Sequence, residues 1–253
     1  MILEALNYAA TRWMTSREHR PFIRYSINLW SRGRRCASAW AEHERNCNQV
    51  ILKAASAITP RRTVVVLGSG LLRDVPVVAL SRAFDTVVLV DLVHVASVRA
   101  WVTYKGLKNV RFIERDLSGY DALRTGEVPE PLDFLRRVPW LDLVVSANLL
   151  SQIGTGVKKR LAVETAPMPD DAVAQLIQAH IDGLKQVAAS TCLITDISFE
   201  VIDRTGSVHE KTDLLAGVLP PPALAAWDWP VAPLGEESKD YRIQHKVIYA
   251  ACD

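Results

Sequence analysis

The stretch that most constrains this chain is Thr63 to Asp74, TVVVLGSGLLRD. Thr63-Val64-Val65-Val66-Leu67 is β-branched and apolar on both faces, so it suits a strand covered on both sides, as in a parallel sheet. The run stops at Gly68-Ser69-Gly70. Two glycines there permit a tight turn and close approach of backbone to a ligand. The apolar segment from Leu71 to about Phe84 is compatible with a helix whose first N–H groups face the same turn. Glycine pairs also close ordinary βα turns, so the unit gains meaning only from its context. A nucleotide-type ligand is the leading expectation.

The rest of the chain repeats the pattern. Thr86 to Val90 is a second buried strand ending in Asp91, followed by a helix over roughly Val95 to Tyr104. Asn109 to Ile113 is a third strand, followed by Glu114-Arg115-Asp116, and Leu141 to Ser146 is a fourth, leading into Ala147-Asn148. Between them, residues 117–140 read as a proline-containing crossover. Gly154 to Pro169 reads as a polar connection to a helix that Asp170 or Asp171 caps. That helix carries Val173, Leu176, Ile177, Ile181 and Leu184 on one face, with His180 packed among them. Thr191 to Ile197 is the fifth strand and Tyr241 to Ala251 the last. Alternating βα units that end in strands without a long helix predict an α/β fold: a doubly wound, mainly parallel sheet with an antiparallel edge. Ligands of such sheets lie at the carboxyl ends of the strands, near the switch point.

Residues 1–60 differ in kind. Apolar stripes at helical spacing, broken at Pro21 and ended by Thr59-Pro60, predict a helical cap packed directly on a domain over residues 61–253. Arginines crowd its surface, yet the whole chain of 253 residues has a net charge of only +2, which gives no nucleic-acid signal. The four cysteines show neither paired spacing nor a metal-ligand pattern, and are expected as reduced thiols. No apolar run approaches membrane-spanning length and the first residues lack a signal-peptide core, so a cytoplasmic location is expected.

With Gly68-Ser69-Gly70, Asp91, Asp116 and Ser146-Ala147-Asn148 all at strand ends, the sequence resembles a class I S-adenosylmethionine-dependent methyltransferase over about residues 60–251. The resemblance implies a Rossmann-like fold and S-adenosylmethionine as cofactor. It implies that Gly68, Ser69 and Gly70 make the glycine-rich first motif. Asp91, with Leu92 beside it, would bind the ribose hydroxyls, and Asp116-Leu117 would contact the adenine. Ser146, Ala147 and Asn148 would lie beside the methyl group. Carboxylates suit hydroxyl and amine donors because charge assistance strengthens the bond. Two positions depart from the family pattern: Val66 stands where an acidic residue is usual, and Leu72 where a third glycine is. Arg73 and Asp74 are unusual arrivals that would restore a contact to the amino acid end of the cofactor.

For the chemistry, Asn148 and His43 are the candidate catalytic residues, His43 as a general base because a neutral imidazole is available near pH 7. Gln152, four residues after Asn148, is a candidate acceptor-binding group. The expected acceptor is a small molecule with an oxygen or nitrogen nucleophile. Two alternatives stay open: an NAD-binding oxidoreductase, since Asp91 lies about twenty residues past the glycine turn, and a non-catalytic binding protein of the same fold.

Overall fold

A computed structural model describes residues 2–161 and 168–252. Three helices come first: α1 (Ile2–Met14), α2 (Ile23–Arg35) and α3 (Ala37–Ser56), with a 3-10 turn at Arg20–Phe22 where Pro21 interrupts. The alternating region follows as β1 (Thr63–Leu67), α4 (Val77–Ala83), β2 (Thr86–Asp91), α5 (Ala96–Tyr104) and β3 (Val110–Glu114). It continues through α6 (Tyr120–Arg124), β4 (Leu141–Ala147), α7 (Leu150–Leu161), α8 (Ala172–Lys185) and β5 (Ser190–Asp203). Three strands, β6 (Val208–Asp213), β7 (Ala225–Ala232) and β8 (Tyr241–Ala250), complete the chain.

The sheet order is β3-β2-β1-β4-β5-β8-β7, with β6 paired only to β5. Neighbours among β1 to β5 are parallel, and the order reverses between β1 and β4. This is the Rossmann-like, doubly wound arrangement, and its crevice lies at that reversal. The last strand was expected at the sheet edge. It lies inside instead, antiparallel to both β5 and β7, and β7 forms the edge.

Strand alternation explains the three layers. Val64 and Val66 of β1 face a core built with α2 to α5, and Val65 and Leu67 face another built with α6 to α8. Fully burying each such side chain contributes about 1.5–3 kcal/mol, enough to fix which face each residue takes. The segment expected as a cap shares the first of these cores: Ile23, Ile27, Cys47, Ile51 and Ala55 pack with Val64 and Val66. In addition, α1 supplies the missing partners at the start of α5. Thr11 Oγ1 accepts the Ala96 N–H at 2.9 Å and Asn7 Oδ1 accepts the Ser97 N–H at 3.1 Å. These are distant side chains acting as a helix cap.

The structure also departs from the expected elements in two places. The helix after the glycine turn starts at Val77, not Leu71, because Pro76 disfavours helical backbone in the residue before it and Leu72 has φ 57°. The glycine turn therefore has no helix start beside it. The connection expected from Gly154 is helical as far as Leu161, and residues 162–167 of that connection lie outside the described residues. Glycine in a helix costs about 1 kcal/mol relative to alanine. Burial of Leu150, Ile153 and Val157 on one face offsets it. Among the described residues, no helix is long and apolar enough to cross a membrane.

Candidate functional site

The ends of β1, β2 and β3 bring the glycine turn, Asp91 and Asp116 side by side, since β1 pairs with β2 and β2 with β3. Gly68 donates its N–H to Val90 O at 2.9 Å, and Gly70 donates its N–H to Asp91 Oδ2 at 2.8 Å. Gly68 has φ 71°, and a Cβ there would meet Ala147 O at 3.0 Å and Leu149 Cβ at 3.1 Å. The turn thus lies hard against the end of β4. Asp116 accepts the Ser118 N–H at 2.8 Å through one oxygen and pairs with Arg160 at 3.2 Å through the other. Leu92 is half-buried and Leu117 buried.

Beyond β4 the picture departs from expectation. The Ser146 hydroxyl is wholly buried and bonded to His180 Nε2 at 3.0 Å. It is a core group rather than one open to a ligand. Ala147 closes β4 as a buried residue. Asn148 then takes φ 49° and stands before α7, not in it. The helical spacing that pairs it with Gln152 does not apply, and Gln152 is exposed while Asn148 is buried.

Asn148 turns its amide toward α3. Its Nδ2 donates to Asp74 Oδ2 at 2.7 Å and lies 3.4 Å from His43 Nε2 and 3.9 Å from Cys47 Sγ. His43 is 2% exposed, and its ring stacks on Trp229 with centroids 4.0 Å apart and 6° between planes. Trp227 Nε1–H donates to His43 Nδ1 at 3.1 Å. That bond fixes Nδ1 as the acceptor, so the neutral ring carries its proton on Nε2. Burial holds the ring's pKa down at about 4. His43 is therefore no general base: its one lone pair is taken and the ring is enclosed.

His43, Cys47 and Asp74 offer ligand atoms within 4.8 Å of one another. The amide of Asn148 donates into the middle of that set, and the proton on Nε2 occupies the nitrogen that faces it. Burial also pushes the Cys47 thiol far up, away from the thiolate that a metal needs. As it stands the set is a hydrogen-bonded cluster. Asp74 is held above the usual carboxylate range by burial, opposed by its bond from Asn148. Arg73 pairs with Glu44.

Sequence reading missed Asp196 and His245. Asp196, at the parallel end of β5, accepts the Ser151 hydroxyl with one oxygen and meets His245 Nδ1 at 2.5 Å with the other. The two are 49 residues apart, joined only by the β5–β8 register. The available signal was a carboxylate closing the run Cys192-Leu193-Ile194-Thr195 inside β5, much as Asp91 closes the apolar run of β2.

The N-terminal segment touches the rest of the chain at three further points. Ser16 N–H donates to Glu114 Oε2 at 3.0 Å at the end of β3, Lys159 lies 4.7 Å over the Tyr25 ring, and Arg35 pairs with Glu236. A surface groove of about 800 Å³, bounded by residues 128–136, α8 and residues 216–219, shares no residue with this set.

Three buried polar atoms here have no protein partner: Ser69 Oγ, Asn148 Oδ1 and Trp229 Nε1. An unpaired buried polar atom costs about 1–3 kcal/mol, so each suits a bound polar group. Together with the Asp91 carboxylate beside the glycine turn, they are polar groups that a bound ligand could engage.

No family model matches the chain, and no curated protein matches it. Similar solved structures include a DhpI complex with SAH, 15% identical, covering 87% of this chain and 93% of that one, with a TM-score of 0.40. The YcgJ protein from Bacillus subtilis is 13% identical over 81% of this chain and 96% of that one, with a TM-score of 0.45. The N-methyltransferase NodS from Bradyrhizobium japonicum WM9, complexed with SAH, is 12% identical over 81% of this chain and 86% of that one, with a TM-score of 0.37.

Proposed function

We propose that this chain binds S-adenosylmethionine at the ends of β1, β2 and β3 and transfers its methyl group to a small-molecule oxygen or nitrogen. The observation that carries the reading is the adjacency of the glycine turn, Asp91 and Asp116 beside the reversal of strand order. Asp91 accepts the ribose hydroxyls while the Gly70 N–H holds its other oxygen in place. Asp116, steadied by Ser118 and Arg160, faces the adenine end. Asp74 and Asn148 take the ammonium of the amino acid end, replacing the acidic residue that Val66 lacks. A cation there favours the ionised form of Asp74, which burial alone disfavours.

When bound, the cofactor supplies an electrophilic methyl group. The chain's own contribution is to hold the acceptor in line and exclude water, and positioning of this kind supplies much of the rate. The first helices do the excluding. A small acceptor suits a crevice covered by α2 and α3 and a chain of net charge +2.

Titration calorimetry with S-adenosylhomocysteine tests the reading, with NAD as the competing ligand. Asp91→Ala should weaken binding about 10- to 100-fold through loss of charge-assisted bonds. Wild-type affinity in a folded Asp91→Ala protein, or binding of NAD alone, would refute it. A small-metabolite pool with methyl-labelled cofactor then identifies the acceptor.

A further inference from the structure

The base that the chemistry needs is not His43, and the geometry points to another: Asp196 and His245 form a general-base dyad in which His245 Nε2 takes the acceptor's proton. This rests on the proposed methyl transfer, which it completes.

The dyad is built by the sheet. A bulge between Asp196 and Ser198 shifts the β5–β8 register, so that Phe199 lies opposite His245 while Asp196 lies opposite Val247. A second irregularity, between Trp229 and Ala232, lies on the other side of β8, where Trp229 is the partner of His245. Bulges bend strands and re-aim side chains. Here they gather Phe199, Trp229 and Asp196 around one imidazole. The ring lies 5.6 Å from Phe199 and 5.8 Å from Trp229, centroid to centroid.

The hydrogen bonds set the tautomer. Asp196 is 3% exposed and accepts from Ser151 at one oxygen, so its other oxygen is aimed at His245 Nδ1. A carboxylate there holds the proton on Nδ1 and leaves the Nε2 lone pair free. Among the described residues Nε2 has no hydrogen-bond partner, it is not among the buried unpartnered atoms, and the side chain retains 16% exposure. His43 shows the opposite arrangement, its acceptor nitrogen taken by Trp227. The pair Asp203–His209 is a useful contrast: it has the same two residue types on the exposed β5–β6 hairpin, with His209 61% exposed.

Position links the dyad to the reacting end. Ser151 stands three residues after Asn148, and Trp229 lies between the dyad and His43, which touches Asn148. Among the described residues, the titratable groups facing His245 are Asp196 from β5 and, across the Trp229 ring, His43 from α3. In the step itself, the acceptor's oxygen or nitrogen lone pair forms the bond to the methyl carbon. The carbon–sulfur bond breaks and its electron pair stays on sulfur. The acceptor's proton moves to His245 Nε2, and the imidazolium, held by Asp196, later passes it to water.

The test uses the full chain labelled with ¹⁵N in its histidine rings, followed by long-range ¹H–¹⁵N spectra from pH 5 to 9. His245 should show Nδ1 protonated and Nε2 free at pH 8. Asp196→Asn should lose that tautomer preference, since the carboxylate oxygen that holds the Nδ1 proton is gone. His245→Gln should bind S-adenosylhomocysteine within twofold of the wild type. On any pool member that the wild type methylates, it should turn over about 100-fold or more slowly, the typical worth of general-base catalysis. A His245 ring protonated on both nitrogens to pH 9, a proton fixed on Nε2 at pH 8, or undiminished turnover by His245→Gln would overturn the assignment. Failure of the wild type to bind S-adenosylhomocysteine would instead refute the cofactor reading, whatever the state of the ring.

Discussion

Acid should destabilise this protein well above the range where its carboxylates titrate. His43 and His180 are buried, and burial pushes both from 6.5 to about 4. As pH falls below 6.5, the unfolded chain takes up two protons that the folded chain refuses. The stability is therefore complete above pH 6.5 and is lost progressively down to about pH 4. At pH 5 the linkage amounts to about 2 kcal/mol per histidine, or about 4 kcal/mol together. With a urea slope of about 3 kcal/mol/M for a chain of this size, the unfolding midpoint should drop by more than about 1 M between pH 7.5 and pH 5. His94, also pushed down by burial, acts in the same sense, whereas Asp74, pushed up, opposes it. The deciding comparison is therefore a variant. Ser146→Ala combined with His180→Leu replaces both partners of a buried pair by apolar groups, which is nearly neutral in itself. It should remove about 2 kcal/mol of the drop at pH 5. Urea titrations read by tryptophan fluorescence measure it. The same pH dependence in the variant as in the wild type would refute the linkage.

Other outcomes are equally specific. Gly68→Ala should cost about 1–3 kcal/mol, read as a lower melting temperature, because its Cβ presses on Ala147 O from a left-handed backbone. Gly70→Ala, whose Cβ would meet only Gly68 O at 3.9 Å, should cost less. Asp74→Asn should weaken S-adenosylhomocysteine binding about tenfold or more by calorimetry, since it removes the charge offered to the ammonium. Hydrogen exchange in residues 2–56 should slow when the cofactor binds, and unchanged exchange there would reduce these helices to a purely structural part.

Much of the architecture was legible because burial on two faces leaves an unmistakable trace. β1, β2 and β4 are largely apolar runs that stop at Gly68, Asp91 and Asn148. The edge was not legible. β6 is VHEKTD, polar on both faces because it pairs on one side only, so no alternation marks it. In β7, Pro230 argues against a strand, yet it is tolerated where the ladder with β8 is already irregular. The start of α7 was hidden by Gly154 and its polar neighbours, whose cost is offset by contacts with α8 that no local pattern reveals. The site divides the same way. Asp91 and Asp116 follow their strands directly, whereas Asp196 meets His245 through a long-range register and a bulge.

The placement of β8 inside the sheet has a consequence for synthesis. Val247 and Tyr249 join a core that includes Ile23, Cys47 and Ile51, residues made some two hundred positions earlier. β7 emerges before β8, yet β8 is the strand that joins it to β5. Until residues 241–250 leave the ribosome, the finished helices and five parallel strands wait with the flank of β5 open and β7 detached. Non-local pairing of this kind is slow, and exposed strand edges invite aggregation. A nascent chain stalled before Tyr241 is thus the species most in need of a chaperone, although it already contains every residue assigned to the cofactor.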